Sequence, residues 1–478
     1  MSSAALQRLA EAAPVRAVRE ALGDREGVWI VGGAVRNAVL GREIADVDLA
    51  VTGGEEGVAR EIARAARGHA FQLSDPFATW RVAPGEPGWG ADVARLRGPS
   101  IESDLAARDF TAGALAVPLG GEEILDPCGG LADLEAGVLR TAGEGSFSED
   151  PLRLLRAARL GAELGLAPDA ATVSLARREA HRAAEPAGER QLAELREIVS
   201  GPDPLRGLAL IDELGATAVV LPELEALRGV AQSPNHHLDV HGHTLAVLEE
   251  TLNVERDLER FAGERAAEVN ALLNEPLADE FVRRGALRLG ALFHDLGKPA
   301  TRGERGSFVT FIGHDRVGAD LIAGICTRLR ASNRLRRHLQ DLTLHHLRLG
   351  FLVHQRPLPR RVVYQYLRDT EPVSADVTLL TVADRLATRG TGELASTEMI
   401  EAHLDLARQM LAEALDWRHE PPRPPVTGDD LIAELGIEPG PRLGELLEQL
   451  RAAAFAGEVS TREQALERAK QVASATEL

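Results

Sequence analysis

Two aspartates, Asp46 and Asp48, stand two residues apart in the run ADVDLAV, shortly after the Gly32-Gly33 pair. In a strand a period of two turns both carboxylates to one face. Such a pair can hold Mg2+, whose octahedral oxygen shell is completed by triphosphate oxygens and water. Gly32 and Gly33 end the strand-like run GVWIV and open a helical one, so their amides lie at a helix N-terminus, where an anion can sit. Arg36, one turn on, reaches the same anion. A lone DxD is usually a surface loop, and a lone Gly-Gly a tight turn. Joined at this distance they describe a metal site beside a triphosphate-binding turn, where one ion could activate an attacking 3′-hydroxyl and another stabilise a pyrophosphate leaving group. Asp92, in the later run GADVARL, is a candidate third carboxylate.

A second set of groups lies further along. Of 14 histidines, several form an ordered series: His243, the adjacent His294-Asp295, His314, the pair His345-His346, and then Asp384. Adjacent residues on a helix project about 100° apart, so His294 and Asp295 can both reach one metal in a groove between helices. His243 and Asp384 complete a nitrogen and oxygen shell suited to a transition-metal dication or, less readily, Mg2+.

These groups need elements to hold them. The 478 residues exceed what one core organises, so several domains are expected. Residues 27 to 140 mix short β-type runs (GVWIVGG, ADVDLAV, GADVARL, AGALAVPL, EEILDP) with helical stretches and many glycines. From about Asp150 the pattern turns to Ala, Leu, Arg and Glu with helical periodicity. The chain therefore reads as α+β: a mixed-sheet head at 1–140, a helical neck and body at 141–230, a metal-binding helical domain at 231–420 and a helical tail at 421–478. The last break is EPPRPPVTGDD, whose prolines cannot continue a helix and whose Thr427 can cap the next. No apolar run is long enough for a membrane span, the N-terminus lacks the pattern of a signal peptide, and a cytoplasmic location is expected. Two cysteines, Cys128 and Cys326, exclude a disulfide framework and a thiolate zinc site. The net charge of −19 argues against phosphate contacts in general. The stretch 328 to 369 departs from it, with ten arginines against Asp341 and Asp369. It reads either as a phosphate-facing surface or as helix faces with ion-pair partners elsewhere.

The segment VWIVGGAVRNAVLGREIADVDLAV resembles the head of the class II tRNA nucleotidyltransferase and poly(A) polymerase superfamily, which opens with GGxVRD and DxD. Arg108-Asp109-Phe110-Thr111 resembles its second motif, RRDFTxNA. DPCGGLADLEAGVLR is similar to the segment closing the head, and SEDPLRLLRAAR resembles the nucleotide-selecting EDxxR motif. The resemblance implies Asp46 and Asp48 as catalytic Mg2+ ligands, and Gly33, Arg36, Arg108, Asp150, Arg153, Arg156 and Arg159 as nucleotide-binding residues. CTP and ATP would be substrates and the tRNA 3′ end the acceptor. Hydrogen-bond inventory agrees for Asp150 and Arg153: an acceptor beside a donor matches cytosine and adenine and leaves uracil or guanine unpaired. Spaced three apart, the two are expected as neighbours on one helix surface, with Arg156 and Arg159 as phosphate or structural ligands. The histidine series resembles the HD phosphohydrolase superfamily. This implies a site of His243, His294, Asp295 and Asp384, a possible second metal on His314 and His345 (with His346 its alternative), and Lys298 on a phosphate oxygen. Cyclic or terminal phosphates on RNA ends, or small nucleotides, are the implied substrates.

The chain departs from the family pattern at Asn37 (for Asp), Ala107 (for Arg) and Gly113 (for Asn). Only PSIESDLAA separates Gly98 from Arg108, where full CCA-adding relatives carry a longer flexible loop, and loss of that loop is associated with adding CC and stopping. The readings are thus CCA or CC addition with HD hydrolysis, poly(A) synthesis, or an RNA-binding protein with an inactive head and HD activity alone. No membrane or obligate protein partner is evident.

Overall fold

The computed structural model describes residues 2–74, 79–85, 88–306 and 308–475. The chain divides into two units, Met1–Val220 and Leu221–Leu478.

The first unit is built on six strands: β1 (Val28–Val31), β2 (Asp46–Val51), β3 (His69–Ser74), β4 (Thr79–Ala83), β5 (Gly90–Arg95) and β6 (Ala116–Pro118), in the order β3-β4-β5-β2-β1-β6. Within this sheet, among the described residues, β2 and β5 form the parallel pair, in a register that sets Asp46 beside Gly90 and Asp48 beside Asp92. The hairpin of β3 and β4 is not anticipated by the sequence reading, because its residues are polar and aromatic without a clean alternation and Phe71 and Leu73 stay exposed on β3. EEILDP forms no strand; it contributes one isolated bridge, Ala116 to Leu125. Helix Glu55–Ala65 packs across β3, β4 and β5. Elsewhere Ile101 and Leu105, from the helix after β5, cluster with Val31, Ala50 and Ala116.

Beyond the sheet, helix Arg153–Leu164 packs on helices Gly188–Ser200 and Pro204–Glu213. Small residues set the approach: a Cβ on Gly161 would lie 2.6 Å from Leu210 Cδ1, and one on Gly207 2.6 Å from Ile198 Cγ2. A side chain at either point would force the helices apart.

In the second unit, helices Val240–Arg256, Arg283–Phe293, His314–Arg328, Asn333–His345 and Ser374–Ala387 pack around one another, and Ser374–Ala387 also lies along the long helix Thr397–His419. The segment at 254 to 286 packs against this same unit. Its helices Leu258–Ala262 and Ala266–Leu273 lead into a short hairpin, and the first packs on Thr397–His419. Arg288 pairs with Glu255, and the buried Arg283 pairs with the buried Asp376. The tail helices Gly428–Leu435, Pro441–Phe455 and Arg462–Ala475 enclose their own core of Leu431, Leu443, Leu446 and Leu450. Thr427 caps the first of them in a capping box with Asp430, as its position suggested.

Half of the arginine-rich stretch is committed to ion pairs: Arg328 with Glu223, Arg348 and Arg368 with Asp369, Arg360 with Glu413 and Arg361 with Glu458. For these five, the ion-paired helix face is the reading the structure supports.

Candidate functional site

β2 has the burial pattern that a period of two demands. Val47 is buried between the outward Asp46 and Asp48, and Leu49 to Val51 are buried beyond them. Asp48 lies opposite Val31 at the end of β1, where the chain turns at Gly32 into helix Gly33–Leu40. Gly32 has φ of 66°, and a Cβ there would lie 2.9 Å from Arg108 Nη1 and 3.3 Å from Asp48 Oδ2. Both the backbone conformation and the close approach require glycine. The Gly32 amide is not open as expected, since it donates to the Leu115 carbonyl. The amides without intrahelical acceptors therefore begin at Gly33. Replacing Gly32 with alanine is expected to lower nucleotide incorporation about 10²-fold by displacing Arg108 and Asp48; steady-state incorporation assays check this.

Three carboxylates converge here. Burial raises the Asp48 carboxyl from its ordinary value against the pull of Arg108. Burial likewise pushes Asp92 up to about 6, and its Oδ1 is buried without a hydrogen-bond partner. Anionic groups that are desolvated, mutually repelling and incompletely hydrogen-bonded fit a divalent cation. Arg81, on β4, lies across from Asp92 and reaches it at 3.1 Å.

The remaining residues of this site are positioned as follows. The Arg36 guanidinium donates to Asn37 Oδ1 at 3.0 and 3.2 Å, and Asn37 Nδ2 donates to the Glu43 carbonyl. Asn37 thus accepts from Arg36 without giving it a counter-charge, and adds a donor that an aspartate would lack. Arg108 pairs with Asp104, which is nearly buried and also accepts from the Arg97 amide. Asp150 is not on the helix with Arg153, as its spacing had suggested. It lies in extended backbone before the helix starts at Arg153, accepting from the Leu152 amide and pairing with Arg190. The physical reason is Pro151: the residue preceding a proline is driven out of the helical region. Arg153 donates to Ser146 and to the carbonyl of Ala107, which also accepts from Arg97. Arg156 binds Asp109 with two hydrogen bonds of 2.9 and 2.7 Å, and Arg159 binds Glu194 at 2.7 Å. Burial alone would raise the Asp109 carboxyl, but Arg156 holds it below its ordinary value. Asp109 and Glu194 were not singled out in the sequence. The only signal was a carboxylate inside the RDFT motif and a lone acid at a buried position of an otherwise apolar helix face. A Cβ at Gly113 would lie 3.6 Å from Asp109 Oδ1, so the asparagine absent there would border the same carboxylate.

The second unit gathers its histidines around Asp295. His243 Nε2 lies 3.0 Å from Asp384 Oδ1, His294 Nε2 3.1 Å from Asp295 Oδ2, and His314 Nε2 3.4 Å from Asp295 Oδ1. Two groups have ligand-compatible spacing: His243, His294 and Asp384, and Asp295, His314 and His346. His346, rather than the expected His345, faces the cluster. Rotation by about 100° per residue turns His345 away to accept from Arg348. The Nδ1 atoms of His294, His314 and His346 contact the carbonyls of Ala291, Phe311 and Thr343 at 2.8, 2.7 and 2.6 Å. A carbonyl only accepts, so each Nδ1 carries a proton and each ring turns its Nε2 toward the cluster. Burial by itself would raise Asp295, but His294 and Lys298 hold it well below the ordinary range, so it stays anionic. Gly297 makes the close packing possible, since a Cβ there would lie 2.1 Å from the His314 carbonyl oxygen. Lys298 Nζ sits 2.6 Å from Asp295 and 2.7 Å from Gln232 Oε1. His236 packs edge-on against His243. Its segment is fixed by hydrogen bonds from Gly390 and Thr391 to the Asn235 and Pro234 carbonyls. Gln232 and His236 escaped sequence reading because nothing in their spacing links them to the series.

The strand order, the carboxylates on β2 and β5 and the glycine turn are those of a nucleotidyltransferase-type head, and the histidine cluster is a candidate metal site in a helical domain. Comparison with known proteins names the same parts. Residues 28–100 and 77–140 match the poly(A) polymerase head domain, 240–389 the HD domain, and 425–469 the putative domain 2 of tRNA nucleotidyltransferase. The chain is 34% identical to the A-adding tRNA nucleotidyltransferase of Deinococcus radiodurans over 92% of its length and 94% of that relative. It is 32% identical to the CC-adding tRNA nucleotidyltransferase of Thermus thermophilus over 91% of each. The fold matches the Thermotoga maritima CCA-adding enzyme solved with tRNA, with a TM-score of 0.62 at 20% identity over 98% of each chain. The chain belongs to the tRNA nucleotidyltransferase family and carries an HD domain. Among the described residues, no helix is long and apolar enough to cross a membrane.

Proposed function

We propose that the chain adds CC to tRNA 3′ ends from CTP and does not add the terminal A. The observation that carries the restriction is the connection from β5 to Arg108. Helix Ile101–Ala106 is closed by a Ser100–Ser103 capping box and tied by Asp104 to both Arg97 and Arg108. Switching a pocket from cytosine to adenine requires its donors and acceptors to move, and this connection has no slack to move them. The relatives named above divide between A and CC addition; the short tether supports a single specificity, and the resemblance of a shortened loop to CC-adding enzymes favours CC. A tRNA ending in CC, incubated with ATP, is expected to gain nothing; addition of one A would overturn the restriction.

In this reading Asp46 and Asp48, with Asp92 behind them, would hold Mg2+, which would supply charge neutralisation for the triphosphate and activation of the tRNA hydroxyl. Gly33, Arg36 and Arg108 receive the triphosphate. Asp150 and Arg153 present an acceptor and a donor to the base edge. Arg156 and Arg159 act as braces, through Asp109 and Glu194, that fix the helix carrying Arg153. The head corresponds to 1–140, the neck and body to 141–230, the HD domain to 231–420 and the tail to 421–478. In the HD domain His243, His294, Asp295 and Asp384, with His314 and His346 for a second ion, hold divalent metal. Lys298 binds a phosphate oxygen for hydrolysis of phosphoesters on RNA ends. Three rings whose Nδ1 is held by a backbone carbonyl and whose Nε2 faces buried carboxylates at ligand-compatible spacing support a metal site over a plain polar core.

A further inference from the structure

Arg81 belongs to none of the motifs above, yet it reaches into the carboxylate cluster of the head. From β4 its Nη1 lies 3.1 Å from Asp92 Oδ2 on β5, and its Nη2 lies 3.5 Å from Asp46 Oδ2 on β2, one strand further away. The path to Asp46 crosses Gly90, the register partner of Asp46. A Cβ on Gly90 would stand 2.7 Å from Asp46 Oδ1 and 3.0 Å from Arg81 Nη2. Glycine there is what lets a guanidinium span two strands. Asp92 turns one oxygen to Arg81 and keeps the other buried without a partner. A fixed cation thus stands on the same acids that a divalent ion uses.

We infer that Arg81 is a built-in counter-cation of the head: it competes with divalent metal for Asp46 and Asp92 and thereby sets the metal concentration the head requires. The inference rests on the nucleotidyltransferase reading of Asp46 and Asp48. A guanidinium is always charged and spans two carboxylates with a rigid fork, so it holds the acids in place without any ion bound. The Arg81 side chain is 36% exposed and Asp46 61%, so the guanidinium can swing toward solvent as an ion enters. A positive charge a few ångströms from an incoming dication weakens its binding by about tenfold once solvent screening is allowed for. Arg81 is accordingly a positioning residue whose signature lies in metal affinity.

The test is Mn2+ titration of the full chain followed by electron paramagnetic resonance, with the head component defined as the binding lost in Asp46→Asn. The HD component, present in every variant, is the internal reference. Arg81→Gln is expected to tighten the head component about tenfold, and Arg81→Lys, which keeps the charge on a shorter reach, to fall between it and wild type. An unchanged or weaker head affinity in Arg81→Gln, with Asp46→Asn still abolishing that component, overturns the inference and leaves the site assignment standing. No Mn2+ binding sensitive to Asp46→Asn overturns the site assignment, and the inference with it.

Discussion

Asp48→Asn is expected to lower nucleotide incorporation by at least about 10³-fold while the protein unfolds at the same temperature or higher, a loss in the range produced by removing an essential catalytic group. The two effects separate because the carboxylate serves function at a cost to folding. Asp48 keeps surface exposure on β2, but desolvation by the groups packed around it raises its carboxyl, so its charged form is disfavoured in the fold. Asparagine keeps the shape and removes the charge, and with it one of the two metal ligands proposed on β2. Arg108 keeps Asp104 as its partner and remains anchored. Single-turnover incorporation of labelled CTP and a thermal melt on the same preparation check both halves. Incorporation that survives unchanged would remove Asp48 from the site.

His294→Ala is expected to abolish the second activity to the same practical extent. Hydrolysis of a generic phosphodiester should fall at least about 10²-fold, with loss of bound metal, because truncation removes an Nε2 ligand whose orientation is fixed through Nδ1. Nucleotide addition should persist, since its residues all lie in Met1–Val220. Chelation followed by metal add-back restores wild-type hydrolysis but not that of the variant. Hydrolysis that is intact in the variant would dismiss the histidine cluster as a catalytic centre.

The sequence was most legible where period alone fixes direction. In β2 a spacing of two sufficed to place Asp46 and Asp48 together, and the glycine turn announced itself because only glycine tolerates Gly32's backbone. The fold class is readable from the change of hydrophobic period along the chain, and the ordered histidines from their resemblance to the HD series. Legibility failed where direction depends on a neighbour distant in sequence. His345 and His346 are adjacent on the chain, and only the packing of their helix decides which one meets Asp295. Asp150 was read as helical because spacing was weighed above the proline that follows it. Arg81, Asp109, Glu194, Gln232 and His236 act across strands or between helices, and no local pattern marks such pairs.

The most direct measurement uses tRNA transcripts that end before the CCA, with Mg2+ and CTP alone, ATP alone, or both, resolved to single nucleotides. The account predicts two additions with CTP and no further extension when ATP is present. Three additions with both nucleotides, or long ATP-dependent ladders, would contradict the restriction drawn from helix Ile101–Ala106. No extension under any condition would contradict the assignment of the head as an active nucleotidyltransferase and turn Asn37, Ala107 and Gly113 into marks of its loss.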